Sequence, residues 1–251
     1  MAASRASRLA RRPGFARELR RHLASRPAPL ADAILAFPLF LTYQLGILLG
    51  ASRRSGVDFA TDALIRLSER SPGRYLLVLL AMTLTYAAVL AVLRRRGASD
   101  ARRFGPLLAE SSVYALLLGS VILAVMQIFE RVLPGLAIVA AGPLDVVVIS
   151  AGAGFHEELV FRLVGLSGGA VLLSRLVPRS LAWPLALALS SLAFAAIHHV
   201  GQGSDPIELG IFAYRSIAGV LFGVLFQLRG FAVAAWTHAL YDMTVIGFGS
   251  S

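Results

Sequence analysis

The chain contains no cysteine and no lysine; all 24 of its basic residues are arginine. Without thiols it can form no disulfide, no thiolate zinc site and no cysteine nucleophile. Charge of either sign is scarce. Only 15% of the residues are charged, against about 25% in soluble domains. That leaves too little to cover a water-facing surface. Acids are rarest, at 14, so net charge is +10. What is present is apolar: 57% of residues are hydrophobic, and mean hydropathy is +0.73. This is the composition of an integral membrane protein. The arginines flank apolar windows instead of gathering on one folded face. They therefore point to the lipid bilayer as partner and not to nucleic acid.

Apolar windows lie at about 30–51, 75–93, 111–133, 136–153, 155–177, 181–200, 207–228 and 230–249. A span needs about 20 apolar residues, so the sequence predicts an all-α, polytopic transmembrane helical bundle of seven to eight spans. Window 136–153 is interrupted by Gly142, Pro143 and Gly152. It reads as a short span, a re-entrant piece or the start of the next helix. Residues 55–70 alternate apolar with charged positions, which suggests an interfacial amphipathic helix. Three regions result: a basic tail at 1–29, an N-terminal transmembrane region at 30–133 and a polar-bearing helical core at 144–249. The tail has no apolar core followed by a cleavage site, so it is not a secretory signal. Eight arginines in the tail and five in 94–103 place both segments on the cytoplasmic side. Five more in the 52–74 loop run against that pattern.

Chemistry concentrates in the core. Glu157, Glu158, Arg162, His198, His238 and Asp242 all fall inside apolar windows. Each charged side chain at mid-membrane costs about 2.5–3.5 kcal/mol, so such a set persists only if its members meet. In Glu157-Glu158-Leu159-Val160-Phe161-Arg162, Glu158 and Arg162 share a helix face as an i,i+4 pair with the acid N-terminal, the favourable order. Glu157 lies about 100° round the helix and points elsewhere. In Phe194-Ala195-Ala196-Ile197-His198 the ring and the imidazole share a face. In His238-Ala239-Leu240-Tyr241-Asp242 an imidazole and a carboxylate do the same. The plainer readings are a solvated ion pair, a histidine near a span end and a buried His–Asp bridge. Hairpin geometry argues for convergence. Counting from a turn at residue 179, Glu157 is level with position 201, one helical turn from His198. Gly210, Gly219 and Gly223 would let the next helices approach closely. His156-Glu157-Glu158-Leu159-Val160 lacks the second histidine of a zincin, and Ser150, Ser190 and Ser191 carry no nucleophile pattern.

Glu-Glu-x-x-x-Arg, then Phe-x-x-x-His, then His-x-x-x-Asp, on successive apolar helices, resembles the CPBP family of CAAX prenyl proteases and bacteriocin-processing (Abi) enzymes. The resemblance covers about residues 144–249. It implies an intramembrane glutamic endopeptidase acting on a peptide or membrane-protein substrate. By position, Glu157 would be the water-activating base, His198 its partner on that water, and His238 and Asp242 the oxyanion contacts. Glu158 and Arg162 would be supporting residues. No cofactor is expected, with zinc as the open alternative. Two departures stand out: Leu163 where glycine is frequent, and Asp242 where CAAX proteases tend to have asparagine. An ionised aspartate cannot donate to an oxyanion. Either Asp242 is protonated, or it orients His238, or Glu157, His198, His238 and Asp242 form an N/O ligand set for zinc. The competing classes are a metal-dependent protease, a non-catalytic scaffold or immunity-type protein of the same fold, and a proton-relaying transporter. Against the last, residues 1–133 hold no inverted repeat. The arginine-only, alanine-rich composition suggests a bacterial cytoplasmic membrane.

Overall fold

The computed structural model describes residues 14–25, 28–50, 57–95, 103–130, 142–200 and 208–248. Positions 1–13 of the tail, 96–102 of the arginine-rich loop, 131–141, including the first part of the 136–153 window, and 201–207 lie outside the described residues. Within them every regular element is a helix. These are α1 (Phe15–Leu23), α2 (Pro29–Leu48), α3 (Phe59–Leu67), α4 (Pro72–Arg95), α5 (Phe104–Glu130), α6 (Pro143–Gly152), a π-helix (Ala153–Gly168), α7 (Gly169–Leu173), α8 (Arg179–Ile197), α9 (Leu209–Arg229) and α10 (Phe231–Phe248).

Among the described residues five helices are long and apolar enough to cross a membrane: Pro29–Leu48, Pro72–Leu93, Phe104–Ile122, Arg179–Ile197 and Leu209–Arg229. Two further rods complete the bundle among the described residues. One is α10. The other is the unbroken run of α6, the π-helix and α7. Both carry the ionisable residues singled out above, which dilute their apolar content. The 136–153 window is therefore not a span of its own. Its described part starts at Pro143, whose fixed φ suits a first helical position, and continues straight into the helix that bears Glu157.

Printed contacts set the direction of each rod. Tyr86 of α4 donates to the Ile34 carbonyl of α2 at 3.0 Å, and Tyr75 bonds Gln44, so the two helices are antiparallel. Val148 packs on Gly46 and Gly152 on Tyr43, so α6 opposes α2. Asp32 accepts from the Phe231 amide at 2.9 Å and Trp236 donates to the Leu35 carbonyl at 2.9 Å, which makes α10 parallel to α2. Ser111 bonds the Val233 carbonyl and Gly119 faces Tyr241, so α5 is parallel to α10. Along the π-helix and α8, Gly169 meets Ala186, Gly165 meets Ser190, and the rings of Phe161 and Phe194 lie 5.4 Å apart. All three pairs are equidistant from a point between Val177 and Pro178. Trp183 with Gln227, and Ser191 with Gly219, fix α9 antiparallel to α8. A Cβ at Gly219 would lie 2.9 Å from the Ser191 Cβ, so this crossing needs glycine.

The rods thus share two ends. The proximal end gathers the starts of α2, α5, α8 and α10 with the finishes of α4, α7 and α9. Here α1 is tied down. The Arg229 guanidinium donates to the carbonyl oxygens of His22, Leu23 and Ser25 and to both oxygens of Glu110. His22 adds an ion pair to Glu110 at 2.6 Å. At the distal end lies α3, the helix anticipated in 55–70. Asp58 caps it by accepting from the Thr61 amide at 3.0 Å, as N-cap aspartates do.

Candidate active site

The site forms where the π-helix crosses α8 and α10. A π-turn closes i→i+5 hydrogen bonds and usually appears as a single turn, often at functional sites; here it runs for sixteen residues. Gly154 lets α10 cross against its backbone. A Cβ there would lie 2.4 Å from the Ala235 carbonyl oxygen and 2.8 Å from the Ala239 Cβ. The wider turn also reduces the angle between successive side chains. Glu157 and Glu158 both approach His238, at 3.9 and 2.8 Å, where an α-helical reading sent Glu157 elsewhere.

Glu157 Oε2 is 3.6 Å from His198 Nε2 and 3.9 Å from His238 Nε2. The hairpin register centred between Val177 and Pro178 sets Glu157 level with His198. The turn assumed at residue 179 displaced that alignment by three positions. His198 closes α8 as its C-cap, and its Nδ1–H donates to the Phe194 carbonyl at 2.7 Å. A carbonyl only accepts, so Nδ1 carries a proton and Nε2 is the ring atom turned toward Glu157. The Phe194 ring sits edge-on to His198, with centroids 4.9 Å apart.

Glu158 has two partners. Its Oε1 accepts from His238 Nδ1 at 2.8 Å, and its Oε2 lies 3.3 Å from Arg162 Nε. Both Glu158 and Arg162 are sealed from solvent. The guanidinium carbon of Arg162 lies 4.6 Å from the Phe194 ring centroid and 5.9 Å from that of Phe222, a cation–π arrangement. Phe222 also stacks on His238, with centroids 4.4 Å apart and planes inclined by 18°. Asp242 Oδ2 stands 3.6 Å from His238 Nε2. The structure therefore brings all six sequence-selected residues into one constellation.

Sequence reasoning missed three contributors. Arg215 of α9 lies close enough to act electrostatically on Glu157 and Asp242. Its signal was available, as an arginine inside the 207–228 apolar window. His156, fully buried, donates from Nδ1 to the Gly152 carbonyl at 3.0 Å, and its Nε2 lies 3.6 Å from Asp58 Oδ1. Asp58 also accepts from the Tyr43 hydroxyl at 2.6 Å. No spacing rule links Asp58 to His156 across so long a stretch of chain. Among the described residues no group of three or more histidine, aspartate or glutamate side chains is spaced to hold a metal ion.

The fold and this constellation define a class: a polytopic helical membrane protein with an acid–imidazole site in its interior. Residues 139–244 match the family model described as Rce1-like, type II CAAX prenyl endopeptidase, and the resemblance to the CPBP proteases is confirmed over that segment. The match supports a CAAX-type endopeptidase in general and says nothing of the residues that act. No curated protein and no solved structure matches the chain.

Proposed function

We propose that the protein is an intramembrane endopeptidase that hydrolyses a peptide bond with a water activated between Glu157 and His198. The observation that carries this reading is the meeting of a carboxylate and two imidazoles, from three separate helices, within 3.9 Å of one oxygen of Glu157. The Glu157–His198 and Glu157–His238 separations exceed hydrogen-bond length, which leaves room for a small polar molecule between these groups. A water held against Glu157 Oε2 and the Nε2 lone pair of His198 gives up its proton as its oxygen attacks the scissile carbonyl. No covalent intermediate forms.

His238 serves the developing oxyanion. Glu158 holds Nδ1–H, so donation to the substrate oxygen requires a second proton, on Nε2. Three carboxylates, Glu158, Asp242 and Glu157, surround that ring. Asp242 acts by orienting Nε2, which resolves the awkwardness of an acid where the family tends to have asparagine. Arg162 holds Glu158, and Glu158 holds His238. The leaving amine takes its proton from the Glu157–His198 pair.

Purified protein in lipid, incubated with a library of membrane-embedded peptides, tests the reading. Glu157→Gln and Glu157→Ala should lower cleavage by about 10²–10⁴-fold, the range for loss of a general base. Cleavage that continues at the wild-type rate in both variants removes Glu157 from the reaction.

A further inference from the structure

We infer that Asp58 and His156 are positioning residues for Glu157: the carboxylate that caps α3 holds the imidazole, and the imidazole fixes the turn of the π-helix that presents Glu157. The role of Glu157 in hydrolysis rests on the protease reading. The holding of its turn rests on geometry alone.

His156 and Glu157 are neighbours in the chain but meet different helices. Glu157 reaches His198 of α8 and His238 of α10. His156, which is fully buried, meets α2 and the start of α3 instead. Its ring lies edge-on to Tyr43, with centroids 4.9 Å apart, and 6.0 Å from Phe40. Its Nδ1–H is spent on the Gly152 carbonyl of its own rod at 3.0 Å. Nε2 stands 3.6 Å from Asp58 Oδ1 and has no hydrogen-bond partner among the described residues. A pull on the His156 ring from α3 therefore passes to Glu157 through one peptide unit.

Asp58 is itself firmly held. Its side chain is 4% exposed. Oδ1 accepts from the Thr61 amide and Oδ2 from the Tyr43 hydroxyl. Thr61 exchanges hydrogen bonds with Gln44 of α2, which also accepts from the Tyr75 hydroxyl of α4. These bonds fasten α3 to two spans and keep its acid beside His156. Packing does not require an imidazole at this point. Phe40, Tyr43 and Phe155 surround it, and a phenyl ring would pack among them with no polar atom to satisfy. An unbonded ring nitrogen in such a place is unfavourable. What it supplies is direction, because a carboxylate acts on one ring atom whereas apolar contact is non-directional. The π-helix is where that matters. Its i→i+5 geometry is normally confined to a single turn, and here it extends over sixteen residues. The Gly154 crossing fixes this stretch against α10. Asp58 and His156 fix it against α2 and α3.

The chain has five histidines, so isotopic labelling of histidine nitrogen gives a magnetic-resonance spectrum of five rings, two of which, His198 and His238, flank Glu157. Spectra are recorded on the full chain in lipid nanodiscs. Asp58→Asn keeps the cap of α3, since asparagine caps as well as aspartate, and removes the charge facing His156. His156→Phe keeps a ring and removes its nitrogen atoms. Both variants should move the signals of His198 and His238, which sit on other helices. Thr61→Val, which loosens α3 from Gln44 and leaves the acid–imidazole pair, should leave those signals in place. Unmoved His198 and His238 signals in Asp58→Asn overturn the inference, and so does an equal shift in Thr61→Val. In a second arm, a peptide that the wild type cleaves is given to Asp58→Asn. Its kcat should fall by up to about 10²-fold with KM unchanged, as a misplacement of about 1 Å can cause. An unchanged kcat overturns the inference. If the wild type cleaves no peptide, the protease reading of Glu157 falls, and the ring signals alone decide whether the pair holds its turn.

Discussion

Removing the Glu158 carboxylate should be costly in a way that a second substitution repairs. Glu158 is completely buried and lies 3.3 Å from Arg162, itself 1% exposed. At that separation the Coulomb attraction is about 5 kcal/mol for an effective dielectric constant of about 20. Desolvation has already been spent on both ions, so the measurable quantity is what remains when one partner is lost. Glu158→Ala leaves a guanidinium uncompensated among Phe194, Phe222 and Leu166, and breaking a buried pair in this way costs about 3–5 kcal/mol. It also takes the acceptor from His238 Nδ1, which adds about 1–3 kcal/mol for a buried donor left unsatisfied. Whole domains are stable by only about 5–15 kcal/mol, so the variant should unfold far more readily. Replacing both ions, as in Glu158→Leu with Arg162→Met, removes the orphaned charge, and such swaps are often neutral or stabilising. The double variant should regain most of the lost stability but not the activity, because His238 still lacks the partner that fixes its tautomer. Denaturant titration of the purified protein in mixed micelles measures the first quantity and peptide cleavage the second. A Glu158→Ala variant as stable as wild type, or a double variant no better than the single, would refute the reasoning.

Other outcomes follow from the same geometry. Gly154→Val should fail to assemble the site, since any Cβ there meets the Ala235 carbonyl at 2.4 Å; native folding with normal cleavage would show that α10 does not cross there. Asp58→Ala should destabilise α3 by about 1 kcal/mol through loss of its N-cap, and by more if the Tyr43 hydroxyl and His156 are left without their shared acceptor; hydrogen exchange at Thr61 reports the cap directly. Phe222→Leu should impair cleavage with little loss of fold, because it removes the ring stacked on His238 while keeping apolar volume. Incubation with an excess of EDTA should leave cleavage unchanged. Loss of activity restored by zinc would show that the water is activated by a metal and not by Glu157 and His198 alone.

How much of this was legible in the sequence depends on the range of the interaction. Hydropathy alone located the rods, because lipid forces every buried backbone group into helices. The i,i+4 relations Glu158–Arg162 and His238–Asp242 were readable because they are local. The Glu157–His198 pairing was readable to within one turn, since antiparallel hairpins obey a register rule, and the true turn lies slightly earlier than the arginine at 179 suggested. What could not be read was non-local or departed from α-helical geometry. In the π-helix Glu157 and Glu158 both reach His238, against the expectation for 3.6 residues per turn. The 136–153 window reads as a short span, a re-entrant piece or the start of the next helix, and only packing decides for the last: Pro143 begins α6 and Gly152 lies against the Tyr43 ring. Arg215 was overlooked although it carried the same signal as Arg162, a cation in an apolar window.

The arrangement explains why this cluster tolerates so many ionisable groups in a lipid-embedded bundle. Arg162 faces Glu158, Glu158 holds His238, and the two rings Phe194 and Phe222 cover the guanidinium and the imidazole in turn. Charge is thereby paired at the sealed end, where an isolated ion would be most expensive. Around Glu157 the pairing is loose. Glu157, His198, His238 and Asp242 approach one another at 3.6–3.9 Å without a direct hydrogen bond among them. On the proposed reading, Glu158 and Arg162 support His238, and Glu157 and His198 meet the water.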